Sequence, residues 1–104
     1  MAAIPAELWD QSLNPRELVF EYQDALQAID RLEALGIQIL GWEAWVRHPD
    51  GSFGHPSSVI GSGDLDSHAD AGQFCRRTIA EAYGDWITAR RAETICFCIT
   101  TASA

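Results

Sequence analysis

Ile37-Gln38-Ile39-Leu40-Gly41-Trp42-Glu43-Ala44-Trp45-Val46-Arg47, followed at once by His48-Pro49-Asp50-Gly51, is the stretch that decides the fold. Across residues 37–47 the apolar positions recur with a period of two, the repeat of a β-strand, whose successive side chains point to opposite faces. Leu40, Trp42, Ala44 and Val46 fall on one face; Ile39, Gly41, Glu43, Trp45 and Arg47 fall on the other. The next four residues end the strand by local chemistry: Pro presets φ, the Asp side chain can bond back to the chain, and Gly takes positive φ. A returning strand is expected over residues 52–55, with Pro56 interrupting it or confining it to a sheet edge and residues 57–60 continuing it.

Working outward, Asn14-Pro15-Arg16-Glu17 offers an N-cap, a Pro at the first helical position and a Glu at N3. Leu18, Tyr22, Ala25, Leu26, Ile29, Leu32 and Leu35 then recur at helical spacing, so a helix is expected from there to Gly36, which supplies the C′ stop. Its opposite face carries Glu17, Glu21, Asp24, Asp30 and Glu33, a strongly negative surface turned to solvent or a partner. Downstream, residues 61–66 read as a loop, and Ser67 with Asp70 three positions on can cap a second helix running to about Arg90. Ala71, Phe74, Cys75, Thr78, Ile79, Ala82 and Trp86 form its apolar stripe. Gly72 and Gly84 weaken that helix by roughly 1 kcal/mol each relative to Ala, which leaves packing to hold it. Thr94-Ile95-Cys96-Phe97-Cys98-Ile99-Thr100 is β-branched and aromatic and should be a central strand. Ile95, Phe97 and Ile99 share one face; the other bears the cysteines and is weakly polar enough to be partly covered as well. The expected fold is α+β: an antiparallel three- to four-stranded sheet with two helices on one face, in the order α-β-β-(β)-α-β, as one domain over residues 1–104.

The chain has 104 residues, 47% of them hydrophobic, which suits one core and no second domain. No apolar run is long enough to span a membrane, and the first fifteen residues, with Glu7 and Asp10, resemble neither a signal nor a transit peptide. Cys75, Cys96 and Cys98 are an odd number in no framework spacing, which fits a reducing compartment and hence the cytoplasm. The formal net charge is −8, with seven arginines and no lysine as the only bases besides His. Residues 1–70 hold twelve acids against Arg16, Arg31 and Arg47, a net of −9. Such a field disfavours nucleic acid and anionic membranes and steers a basic partner; it also serves solubility alone.

Candidate chemistry is sparse. Cys96 and Cys98 share a strand face within roughly 7 Å and would suit a soft metal or oxidation, but no second ligand pair stands at matching spacing, so buried apolar thiols are expected. Asp64, Asp66, His68 and Asp70 superficially match a calcium loop; Ala69 replaces its Gly and Cys75 its bidentate acid, so a negative helix N-terminus explains the same residues. His48, His55 and His68, with Cys75 or Ser52, form no recognised nucleophile motif. No catalytic residue, metal or cofactor is assigned.

Leu40-Gly41-Trp42-Glu43-Ala44-Trp45, then Pro49-Asp50-Gly51, Gly54-His55, the trio Thr78, Ile79 and Trp86, and finally Phe97-Cys98-Ile99-Thr100 resemble, in that order, a family of bacterial polymorphic-toxin immunity proteins. The likeness covers roughly residues 22–100, and includes an acidic helix before the Gly-Trp-Glu-x-Trp strand; Pro56 stands where the family often has Ser. The resemblance implies an inhibitor that binds the toxic domain of a cognate effector in the cytosol and blocks its active site or substrate access. Glu43, Trp45, Arg47, Asp50, His55, Asp64 and Asp66 are the expected contact residues, with Trp45 as anchor and the acids steering a basic partner. Two alternatives stay open for the outer sheet face. Leu8 and Trp9 of the N-terminal arm would cover Trp45, or an isologous homodimer would bury it. A generic protein-interaction adaptor is the alternative function, and a small enzyme or ligand-binding protein a further one.

Overall fold

Residues 95–99 are apolar in succession, and a strand of that composition needs cover on both faces and a neighbour on both edges. In the computed structural model, which describes residues 4–63, 65 and 70–102, they form the middle of β4 (Thr94–Thr101), and all five are buried. On one edge β4 pairs antiparallel with β1 (Leu18–Phe20), Val19 opposite Cys98; on the other it pairs antiparallel with β2 (Ile39–Arg47), Trp45 opposite Cys96. The short β3 (Phe53–Gly54) returns against the end of β2, which completes a four-stranded antiparallel sheet in the order β1-β4-β2-β3. The helices are α1 (Ala6–Gln11), α2 (Tyr22–Ala34) and α3 (Ala71–Thr88), in the chain order α1-β1-α2-β2-β3-α3-β4. The fold is thus the expected α+β type, with one helix and one strand at the N-terminal end that the hydrophobic pattern did not separate.

That N-terminal difference has a local cause. Asn14 does cap: its Oδ1 accepts the backbone N–H groups of Arg16 and Glu17 at 2.8 and 3.0 Å. What it caps is a turn, and α2 begins only at Tyr22. Leu18, Val19 and Phe20 are all buried; on a helix they would spread over about 200° of arc, wider than the apolar stripe of a surface helix. As a strand, β1 sends Leu18 and Phe20 into the main core and Val19 to the opposite face, satisfying all three. The other end of α2 follows expectation. Gly36, at φ +70°, donates to the Glu33 carbonyl, Ile37 donates to that of Leu32, and both apolar side chains are buried, which is the Schellman stop.

The inner sheet face carries Leu18, Phe20, Trp42, Ala44, Val46, Ile95, Phe97 and Ile99, packed beneath α2 and α3. Trp42 meets Phe97 edge-on at 5.5 Å, and its indole N–H donates to Thr78 Oγ1 of α3 at 2.8 Å. Tyr22 and Tyr83 stack at 4.1 Å across α2 and α3. Arg76 of α3 clasps Asp30 and Glu33 of α2, and Arg31 pairs with Glu7, so two of the five acids expected on the exposed face, Asp30 and Glu33, are engaged in ion pairs. Gly72 is buried where α3 passes α2, and a Cβ there would displace the end of the flexible Glu33 side chain.

One β-bulge corrects the alternation expected for residues 37–47. Ile39 pairs with Thr101 and Gly41 with Thr100, so Leu40 is an extra residue and Ile39 swings into the main core instead of the outer face. Beyond β3 the chain leaves the sheet near Pro56 and returns along the edge of β2: Ala44 donates to the Ile60 carbonyl at 2.8 Å, Ser62 to that of Trp42 at 3.0 Å, and Leu65 to that of Leu40 at 2.7 Å. The proposed cap Ser67 lies outside the described residues. Among the described residues no helix is long and apolar enough to cross a membrane.

Candidate functional site

The face of the sheet away from α2 and α3 is built in cross-strand rows. One row runs Val19, Cys98, Glu43, and the next has Cys96 beside Trp45. Arg47 lies opposite Thr94 on one side and Phe53 on the other. Val19, Cys96 and Cys98 are fully buried within this face, with Leu13 and Trp45 packed against them. The expected partial cover of the cysteine side is therefore real, and Leu13 supplies it. Ser12 and the backbone hold Leu13 there: its N–H donates to the Val19 carbonyl at 2.8 Å, while Ser12 Oγ accepts the Val19 N–H at 3.0 Å. Leu8 and Trp9 instead belong to the main core, so the N-terminal arm does not cover Trp45.

Trp45 is half-buried, with the Phe53 ring edge-on to it at 6.2 Å and the His55 ring edge-on at 5.7 Å between centroids. Its indole N–H reaches Glu43 Oε1 at 3.4 Å, a long bond that leaves the carboxylate free to take a better donor. The Arg47 guanidinium lies 6.0 Å from the Phe53 ring centroid. Glu43, Trp45, Arg47 and His55 are thus brought together as expected. Asp50 sits at the hairpin turn, where it accepts the Ser52 hydroxyl at 2.7 Å and the Ser52 N–H at 2.9 Å. The Ser52 side-chain bond, above the other causes, holds its carboxyl below the ordinary value, and its role is to shape the turn. Asp64 and Asp66 lie outside the described residues.

Four residues near this face went unnamed in the site expected from sequence. Phe53 is 37% exposed and Val59 100% exposed, two apolar side chains left in solvent. Glu17 and Glu21, assigned above to a helix, flank β1 and make no ion pair among the described residues. Phe53 was recoverable, because it precedes His55 by the two-residue period that places both beside Trp45. Val59 carries no such signal, since its exposure follows from the excursion of the chain around Pro56.

The thiols of this face are inert. Burial pushes Cys96 up to about 11, with Glu21 adding to the rise and Arg47 opposing it; burial pushes Cys98 up to about 12, helped by Glu17 and Glu43. A thiol so raised is neutral at physiological pH, neither a good nucleophile nor a ready metal ligand. Cys75, in the other core, is likewise raised by burial to about 11. Among the described residues no group of three or more His, Cys, Asp or Glu side chains is placed to hold a metal ion. The arrangement is a half-buried aromatic beside Phe53, with Glu43 within reach of its indole and with Glu17 and Glu21 flanking β1 on the far side of β4. Comparison with protein-family models, with curated proteins and with solved structures returns no significant match to this chain.

Proposed function

We propose that this chain is an immunity-type inhibitor that binds the toxic domain of a cognate bacterial effector through its outer sheet face. One observation carries the proposal: Trp45, backed by Phe53 and His55, stands half-exposed on the outer sheet face with the Glu43 carboxylate within reach of its indole N–H. Partly desolvated aromatics on a stiff scaffold are the commonest energetic centre of a protein interface, and surrounding charge sets the rate and choice of partner. The formal charge of −8 favours a basic partner, the character of toxin domains that act on nucleic acids or nucleotides. The ordered motifs around Gly41-Trp42-Glu43-Ala44-Trp45 and Phe97-Cys98-Ile99-Thr100 lend support through their resemblance to immunity proteins. Binding would neutralise the toxin by covering its active site or substrate path, with no chemistry on this side.

The test is co-expression with the toxin domain encoded upstream of this reading frame. Rescue of growth together with a co-purifying complex supports the proposal. A toxin that still kills, with no complex recovered, overturns it.

A further inference from the structure

Beyond Glu43 the outer face ends in a hollow of about 580 Å³, lined by Gly41, Gly61 and Gly63 with Leu40 and Val59 beside them. The glycines leave one wall of it without side chains, for a backbone reason. A Cβ on Gly61 would stand 2.7 Å from the Trp42 carbonyl oxygen, and one on Gly41, at φ +154°, would stand 2.5 Å from that of Gly63. Close passage of residues 60–63 and 65 against β2 therefore leaves a depression walled in part by main chain. Its apolar side is Leu40 and the wholly exposed Val59. Glu43 is the only charged side chain among the described residues that line it. The cleft of about 510 Å³ between the start of α2 and the end of α3 differs in being lined by Arg90 and Arg91 as well as Glu21, Asp24 and Glu93, so it presents no single sign of charge.

We infer that the hollow receives one long basic side chain, arginine or lysine, from the bound protein. The aliphatic stem lies along Leu40 and Val59, and the cationic head reaches Glu43, whose present bond to Trp45 is too long to compete. The assignment rests on the outer face being the binding surface and names what the partner inserts there. It also gives Glu43 a contact role, where steering alone would leave it at the rim.

The hollow can be tested without any toxin. Protein labelled with ¹⁵N is titrated with N-acetyl-arginine N-methylamide and, separately, with the citrulline analogue, which keeps the shape and removes the charge. Saturable shifts of the Gly41, Gly61 and Gly63 amides are expected for arginine, and affinity at least about tenfold weaker for citrulline. Glu43→Gln should bring the arginine titration down to the citrulline level. Val59→Lys, at a site with no packing to lose, should fill the hollow with its own ammonium group and abolish the shifts while the rest of the spectrum stays dispersed. Equal response to arginine and citrulline, indifference to Glu43→Gln, or shifts confined to other acidic residues would overturn the assignment. A hollow that ignores arginine while co-expression rescue succeeds refutes this assignment alone. A hollow that binds arginine while rescue fails refutes the immunity role alone.

Discussion

Thr78→Val probes the contact that ties α3 to the strand bearing the outer face. The Trp42 indole, only 4% exposed, donates to Thr78 Oγ1 at 2.8 Å, and the same hydroxyl donates to the Phe74 carbonyl at 2.8 Å. Valine keeps the branched shape and removes the acceptor. The Phe74 carbonyl retains its helical partner, but the indole N–H is left without one where water barely reaches, at a cost of about 1–3 kcal/mol. Helix propensities of Thr and Val are close, so they do not offset this. For a chain of this size each kcal/mol shifts Tm by roughly 4–8 °C, so a fall of about 4–24 °C is expected in thermal unfolding followed by circular dichroism. Thr78→Ser keeps the hydroxyl and loses one half-buried methyl, worth less than about 1 kcal/mol. A double-mutant cycle with Trp42→Phe should return a coupling of about 1 kcal/mol or more. Thr78→Val as stable as Thr78→Ser, with no coupling to Trp42, would refute the assignment of this bond as the tie between helix and sheet.

Trp45→Ala should weaken the toxin complex by about 2 kcal/mol or more, roughly thirtyfold, in calorimetry or surface binding, with an unchanged far-ultraviolet spectrum; undiminished affinity would move the interface elsewhere. Gly61→Ala should lower stability by about 1–3 kcal/mol because the clashing Trp42 oxygen is backbone and cannot swing away. Gly84→Ala, at an exposed helical position with nothing within 4 Å, should instead raise stability by about 0.5–1 kcal/mol; the same sign for both in chemical denaturation would contradict the packing described. The thiols set an alkaline limit. Burial raises Cys75 and Cys96 from 9.0 to about 11 and Cys98 to about 12, so above pH 9 the unfolded chain loses these protons first. Unfolding free energy should therefore be insensitive to these groups below pH 9 and fall as pH rises from there toward 11–12. Replacing Cys96 and Cys98 by Ala should make that fall shallower; an unchanged slope would show that the thiols do not cause it.

Much of the fold was legible where the physics is local. The period-two run around Trp42, the Pro49-Asp50-Gly51 turn, the Gly36 stop and the apolar run of β4 each depend on residues within a few positions, and each forms as expected. Asn14-Pro15 misled because an Asx cap and a helix N-cap use the same bonds, and only the burial of all three residues of β1 separates them. The site was legible in part: Glu43, Trp45, Arg47 and His55 do meet, by strand alternation, whereas Asp50 belongs to the turn.

By itself, then, the sequence determined the α+β class, the hairpin, the central C-terminal strand and the acidic character of the chain, since composition, periodicity and turn chemistry act along the backbone. Tertiary structure alone decided that β1 pairs with β4, with Val19 opposite Cys98, and that Leu13 rather than Leu8 or Trp9 closes over the thiols. It also decided the bulge that turns Ile39 inward and the glycine-walled hollow beside Glu43. These features arise where segments distant in sequence meet, and which main-chain groups and side chains face each other there is set by the packing of the whole sheet.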